Sequence, residues 1–518
     1  MFLGLDSSTQ SLTAVILDPA SGTIICEHSV HFGSDLPQYH SPSGFIPGGP
    51  LGTVHANPLM WLDALDLLFA RLSVITDLTN VKCIAGSGQQ HGSVYLDGSF
   101  DKRLSKLDPS AGLATQLAPS LTCKTSPIWM DTSTGEECAE ITAALGGANE
   151  VCRRSGSIAI ERFTGPQIRR FFKTDPAAYA RTRRIHLVSS FIASVLAGKS
   201  VPIDFGDGAG MNLLNLSSLG WDTDLLEATA PDLKSKLLSP AAATTLQGRI
   251  SHYFSVKYGL SADCQIALFT GDNPASLVGM GATAPGNVVI SLGTSDTFFA
   301  AMPGPKTDPN GYGHVFGNPA GGFMSLICFR NGSLAREALR DKLGLDWSAF
   351  DSEALAATHE MAGLNLMLPF FGPEITPRYD FAEPVLKGTA TFESGENPSL
   401  QVRALLEGQF LNMRLHAQWM EVKTERIRLT GGASRNNGIA QLVANIFQCP
   451  VERLNISNSA ALGAALVAAT AGDGGDLSSL QDIFCQASPG SALAPDTSLA
   501  GVYEEAMKDF QVLLHANR

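Results

Sequence analysis

The sequence predicts an α/β protein of duplicated, two-domain architecture, and three observations carry that prediction. The chain has 518 residues, 44% of them hydrophobic, enough to bury substantial cores and to divide into two or three domains of ordinary size. Short apolar runs of strand length alternate with helix-length amphipathic stretches. One motif also occurs in each half: an apolar run, a tight turn of small hydroxyl residues, and a second apolar run. At the N-terminus it is Met1–Leu5, Asp6-Ser7-Ser8-Thr9-Gln10-Ser11 and Leu12–Asp18; in the second half it is Asn287–Leu292, Gly293-Thr294-Ser295 and Thr297–Met302. Two hairpins of one kind predict a repeated unit with two phosphate loops facing each other.

Charge and cysteine usage narrow the function. A formal net charge of -13 and a pI near 5.3 argue against a nucleic-acid partner, while small anionic ligands remain compatible with a few local cations. The nine cysteines are scattered, with no pair at two-residue spacing, which reads as reduced thiols and not as a disulfide framework or a zinc site. No basic region precedes an apolar one at the N-terminus, and Ala460–Ala471 is too short and too rich in alanine to span a bilayer. The expectation is a cytoplasmic protein with no membrane partner.

Along the first half, the Pro-, Gly- and Ser-rich stretch Pro37–Pro58 predicts a surface loop. Leu59–Ala70 has helical spacing, and Val81–Gly86 predicts a buried strand that ends in Ser87-Gly88-Gln89-Gln90-His91-Gly92. Strand ends are where α/β proteins place ligands. Gln89, Gln90 and His91 offer hydrogen-bonding groups without fixed charge, which suits a neutral polyhydroxylated substrate. Lys102–Ser126 carries few order signals and reads as a loop or insertion. Helices are predicted from Gly135 to about Leu145, over Gln167–Lys173 with a solvated basic face, and over Ile185–Ala197. Arg162 stands apart, beside Phe163 and a Gly-Pro break, and Asp204–Gly210 reads as a turn.

A loss of long apolar runs over Pro231–Ser261 places the domain boundary near Ala262, giving domains 1–262 and 263–518. The second half opens on Leu268–Gly271, which delivers Asp272 and Asn273 together. Helices follow at Ser333–Leu343 and Leu400–Trp419. A strand over Glu425–Leu429 then runs into Thr430-Gly431-Gly432-Ala433-Ser434-Arg435-Asn436-Asn437 with a helix behind it. A glycine pair at such a turn lets a flat ring or a phosphate approach the backbone, and the helix N-terminus favours anions.

The ordered set of the Asp6 hairpin, Gly88-Gln89-Gln90-His91-Gly92, Trp129-Met130-Asp131, Gly271-Asp272-Asn273, Ser291–Ser295 and Gly431–Asn436 resembles the FGGY carbohydrate kinases over nearly the whole chain. Gln90-His91-Gly92, Glu161–Gly165 and Gly271–Pro274 are most similar to the xylulokinase branch of that family, particularly its longer, eukaryote-like type. Ser8 and Ser133 stand where many members carry Gly and Arg. The resemblance implies two ribonuclease-H-like domains of the actin-like ATPase kind around a central cleft.

It also implies roles. Asp272 matches the general base, and Gln90, His91, Arg162 and Asn273 match sugar contacts. Asp6 matches the acid that holds magnesium, and with Asp272 makes the catalytic pair. Thr9 of the first loop, Gly293 and Thr294 of the second, and Gly332, Gly432, Ala433 and Asn436 match ATP contacts. Phosphoryl transfer needs positioning and charge neutralisation more than covalent help, so this set is sufficient. The expected function is ATP- and Mg2+-dependent phosphorylation of a ketopentose, D-xylulose at its 5-hydroxyl first, by a monomer or homodimer. Ribulose, gluconate or glycerol phosphorylation is the alternative within the family, and an actin-like switch ATPase the alternative outside it.

Overall fold

A computed structural model describes residues 1–356, 365–380, 383–473 and 475–517. Its chain parts into two compact units: 1–283 with 315–324 and 456–485, and 284–314 with 325–455 and 486–518. The first unit is built on strands β1 (Phe2–Ser7), β2 (Ser11–Asp18), β3 (Thr23–His31), β4 (Cys83–Gly88), β5 (Leu246–Arg249) and β6 (Gln265–Gly271), in the spatial order β5-β6-β4-β1-β2-β3. β1 runs antiparallel to β2, with Asp6 opposite Thr13, and parallel to β4, with Ser7 beside Gly88. β6 is parallel to β4 with Gly271 beside that same Gly88. Three strands therefore end in one row, and whatever follows them shares one edge of the sheet.

Helix α1 (Pro58–Ile75) covers this sheet. Asn57 caps it by accepting the Leu59 N–H, Pro58 fills the first position, and Trp61, Leu65, Leu68 and Phe69 are fully buried. That placement is what residues three and four apart dictate. α2 (Val188–Ala197), α3 (Phe205–Ala209) and α4 (Asp272–Gly279) complete the elements that matter for the site. The segment expected to be an irregular insertion contains the short helices Phe100–Leu104 and Leu113–Leu117, which bury Phe100, Leu104, Leu113 and Leu117. Their apolar residues are too few per turn to read as a periodic pattern.

In the second unit, β7 (Asn287–Leu292), β8 (Asp296–Met302), β9 (Arg426–Gly431) and β10 (Val451–Arg453) lie in the order β8-β7-β9-β10. β7 is antiparallel to β8 and parallel to β9, with Leu292 beside Gly431. This is the arrangement of β2, β1, β4 and β6 over again, so the duplicated hairpins are two copies of one sheet pattern. α5 (Ser333–Lys342), α6 (Trp347–Ala356), α7 (Pro398–Ala417) and α8 (Asn437–Phe447) surround it.

Two boundaries differ from the sequence expectation. The break falls after Thr283 and not near 262, because β6 pairs with β4 and carries Asp272 into the first unit. The alanine-rich helix α9 (Ser459–Asp473), expected to finish the second half, also belongs to the first unit. Its small residues let it lie directly on β1 and α4: a Cβ on Gly463 would stand 1.9 Å from the Ala275 carbonyl oxygen, and one on Gly4 2.1 Å from that of Ala461. Leu462, Ala465 and Leu466 are buried there, the leucines contributing roughly 1.5–3 kcal/mol each.

Among the described residues no helix is long and apolar enough to cross a membrane, and all nine cysteines are free thiols.

Candidate active site

Asp272 stands at the head of α4, immediately after the buried strand β6. Its Oδ1 accepts the Asn273 backbone N–H at 2.8 Å and the Asn273 side-chain amide at 3.0 Å. The same Asn273 Nδ2 donates to Gln90 Oε1 at 2.8 Å. Burial, with the Asp6 charge second, pushes the Asp272 carboxyl up to about 7, so near neutral pH it is poised between holding and accepting a proton.

The turn after β4 supplies the rest of this face. His91 is 6% exposed with a left-handed backbone, φ 72°. Its Nδ1 lies 2.8 Å from the Gly210 carbonyl oxygen, which can only accept, so Nδ1 carries the proton and Nε2 is left as an acceptor. Burial and the Arg162 charge push its pKa down to about 3, and the ring is neutral at any ordinary pH. Phe163 packs on the imidazole with centroids 4.6 Å apart, and the Arg162 guanidinium lies 5.6 Å over Phe163. Gln90, His91, Arg162, Asp272 and Asn273 are therefore brought together.

Two buried acids here gave no functional signal in the sequence. Asp204 caps α3 by accepting the Gly206 and Asp207 N–H groups at 3.0 and 2.8 Å, and Asp207 accepts the Ser189 hydroxyl. Desolvation raises Asp204 to about 6 and Asp207 well above the carboxylate range, the latter aided by the charges of Asp204 and Asp272. Their spacing is that of an ordinary helix cap, and only the packing of α3 beside His91 turns it into part of the site.

Asp6 is the penultimate residue of β1, half-buried, and accepts the Ser87 hydroxyl at 2.7 Å. Burial pushes it up to about 6, against the Ser87 hydrogen bond. The next turn is closed by Ser8, whose N–H donates to the Ser11 carbonyl at 2.9 Å, and Thr9 Oγ1 accepts the Trp129 indole N–H at 2.9 Å. No group of three or more His, Cys, Asp or Glu that could hold a metal exists among the described residues. One carboxylate beside a hydroxyl-rich turn nevertheless fits magnesium, which keeps most of its waters and takes its other ligands from phosphates.

In the second unit, four of the expected nucleotide contacts gather at one cavity. Leu292, Gly293, Thr294, Ser333, Gly432 and Ala433 line a cavity of about 410 Å³, whose far wall is Trp347 and Phe350 of α6, rings packed edge to face at 5.6 Å. Arg340 lies 4.4 Å over the Trp347 ring. Gly431, at φ 90°, approaches the Leu292 carbonyl so closely that a Cβ would stand 2.3 Å from its oxygen, and this leaves Gly432 open beneath the cavity. The turn over Gly293 is pinned from behind: Ser333 N–H donates to the Gly293 carbonyl at 2.9 Å, and Arg336 grips the buried Asp296 with both terminal nitrogens at 2.9 Å.

Two expected contacts sit differently. Asn436 Oδ1 caps α8 by accepting the Gly438 and Ile439 N–H groups, so only its amide NH2 is left to meet a ligand. The Gly332 carbonyl is taken by Gln409 at 3.0 Å, behind the cavity wall. Trp347 and Phe350 were missed, although two aromatics three residues apart at the start of a helix are a readable sign of one aromatic face.

The model of the N-terminal domain of the FGGY family of carbohydrate kinases matches residues 124–279, and that of the C-terminal domain residues 288–472. Xylulose kinase 2 of Arabidopsis thaliana is 42% identical over 489 residues, covering 90% of this chain and 87% of its own. The xylulose kinase of Rattus norvegicus is 40% identical over 515 residues, 97% of this chain and 94% of its own. Among solved structures, xylulose kinase from Rhodospirillum rubrum gives a TM-score of 0.82 at 21% identity, over 99% of this chain and 98% of that one. Gluconate kinase from Lactobacillus acidophilus gives 0.81 at 21%, over 99% and 97%. Such structural likeness shows the fold alone, two sheet-containing domains of the actin-like ATPase kind, and does not separate one sugar from another.

Proposed function

The chain belongs to the FGGY family of carbohydrate kinases, and we propose that it transfers the terminal phosphate of ATP to the 5-hydroxyl of D-xylulose. The observation that carries this reading is the Gln90–Asn273–Asp272 chain of hydrogen bonds, which fixes a carboxyl held near pKa 7 beside neutral polar groups.

Each residue has a task in the transfer. Gln90, His91 through its acceptor Nε2, Arg162 and Asn273 hold the sugar hydroxyls. Asp272 orients the attacking hydroxyl and accepts its proton as the new P–O bond forms. The aromatic wall of Trp347 and Phe350 takes the adenine ring, Gly432 and Ala433 let it lie flat, and the N–H groups around Gly293 and Thr294 meet the phosphates. Thr9 contributes its hydroxyl to the transferring phosphate. Magnesium, when bound with the phosphates, neutralises charge on the transferring group; Asp6 is the residue that would hold it.

The acids favour a neutral sugar. The charges of Asp204 and Asp272 help to raise Asp207, and a carboxylate-bearing substrate such as gluconate would add like charge beside them, opposed by the Arg162 guanidinium. Residence in the reducing cytoplasm, as a monomer or homodimer, belongs to the same proposal and agrees with nine free thiols.

The test is ADP release across D-xylulose, D-ribulose, glycerol and gluconate. Highest kcat/KM with D-xylulose supports the proposal. Preference for another sugar overturns the substrate assignment, and turnover independent of sugar points to a switch ATPase.

A further inference from the structure

Trp129 leaves 45% of its surface in solvent, yet it is not loosely placed. Its indole N–H reaches across 120 residues of sequence to Thr9 Oγ1 at 2.9 Å. The turn that carries it is closed by the Asp131 N–H on the Ile128 carbonyl at 2.9 Å. That turn is held in place by the Asp131 carboxylate, which is fully buried. Asp131 accepts from Val54 N at 2.8 Å, Ser133 N at 2.9 Å, Ser133 Oγ at 2.6 Å and Gln167 Nε2 at 2.8 Å, with His55 Nε2 3.6 Å away. A carboxylate with its lone pairs filled in this way fixes the backbone around it.

Thr9 is held equally firmly. Gly44, at φ 83°, packs so tightly beneath it that a Cβ there would stand 1.7 Å from the Thr9 carbonyl oxygen. The Gln10 carbonyl accepts the Phe32 N–H at 2.9 Å. Between two rigid supports, the Trp129–Thr9 hydrogen bond has one direction, because an indole N–H donates and never accepts.

We propose that Trp129 is a positioning residue for the Thr9 turn: by occupying Thr9 Oγ1 as acceptor, it leaves the Thr9 hydroxyl proton to be donated outward, to a phosphate oxygen. A free threonine hydroxyl rotates among its local acceptors; one that already accepts an indole N–H is turned before the phosphate arrives, and a pre-oriented donor costs no reorganisation during transfer. Trp129 acts here through Thr9 and through its edge, so the role is separate from any contact of its ring with a sugar. The inference rests on the reading of this turn as a phosphate loop.

The experiment is a double-mutant cycle on the full-length protein with Trp129→Phe and Thr9→Val, read as kcat, as KM for each substrate and as thermal midpoint. Trp129→Phe keeps the ring and removes the N–H, so kcat falls about three- to tenfold, the effect of one lost hydrogen bond, while the KM for the sugar and the thermal midpoint stay unchanged. Thr9→Val loses at least as much, Thr9→Ser restores most of it, and the double variant is no slower than Thr9→Val alone because the two act as one unit. Additive losses, or a parent-like Trp129→Phe beside an impaired Thr9→Val, overturn the role of Trp129 and leave the phosphate loop standing. A parent-like Thr9→Val overturns the phosphate-loop reading and the inference with it.

Discussion

Asn273 donates one side-chain amide to two acceptors, Gln90 Oε1 at 2.8 Å and Asp272 Oδ1 at 3.0 Å, and so ties the end of β4 to the start of α4. The candidate base is thereby fixed relative to the polar turn after β4 before any ligand enters. Such preorganisation is what a reaction that depends on positioning requires.

For the sugar face, His91→Ala removes an acceptor whose tautomer is set by Gly210. Steady-state kinetics on both substrates should show the KM for the sugar raised by a factor corresponding to about 1–3 kcal/mol, the cost of an unpaired buried partner, and the KM for ATP nearly unchanged. An equal rise in both would mean that His91 serves the fold.

For the metal, Asp6→Ala removes the one carboxylate at the end of β1. Turnover at ordinary magnesium should fall by about two powers of ten or more, as loss of charge neutralisation at a transferring phosphate costs several kcal/mol. Near-parent turnover with an unchanged circular-dichroism spectrum would remove Asp6 from the chemistry.

For stability, the pair Arg336–Asp296 is buried at both ends, with side chains 2% and 0% exposed. Removing one partner strands a buried charge, so Arg336→Ala should destabilise the second unit by roughly 3–5 kcal/mol in denaturant unfolding. The KM for ATP should rise with it, because the same guanidinium reaches towards the Gly293 carbonyl. A loss below about 1 kcal/mol, the range of an exposed pair, would show that the pair does not hold the loop.

For pH, a base raised to about 7 must be ionised to accept a proton. The rate should rise with pH up to about 7 and level off above it. Stability runs the other way: the unfolded carboxyl ionises near 3.8 and the folded one near 7, so the folded state holds the extra proton between them and loses stability as pH climbs through that window. Asp272→Asn should therefore be more stable than the parent at pH 8 and no more stable at pH 4, as read from thermal midpoints. A parent rate flat from pH 5 to 8 would contradict the raised value.

Much of this was legible because strand-end motifs report their own geometry. Asp6, Gln90 and Asp272 each follow an apolar run, and three parallel strands ending in one row bring such residues together. The boundary near 262 was misplaced because a fall in apolar runs marks a surface segment, whereas β6 is tied to the first sheet by hydrogen bonds that no local pattern records. α9 lies, but for its last residue, within the residues matched by the C-terminal family model and yet packs in the first unit: its alanines and Gly463 permit close packing but do not say against what. Asp204 and Asp207 were hidden because a helix cap and a site carboxylate have the same local sequence, and Trp347 because an aromatic pair on a helix reads as core until the cavity beside it is seen.

One substitution isolates the transfer of the attacking hydroxyl's proton to Asp272. Asp272→Asn preserves the shape and the hydrogen bond to Asn273 while removing the basic oxygen. With sugar and ATP binding checked by calorimetry, the turnover number at saturation should fall by about two to four powers of ten, with both substrates still bound. A variant that binds both and turns over within about threefold of the parent, far short of the loss expected for a general base, would rule out Asp272 as the base.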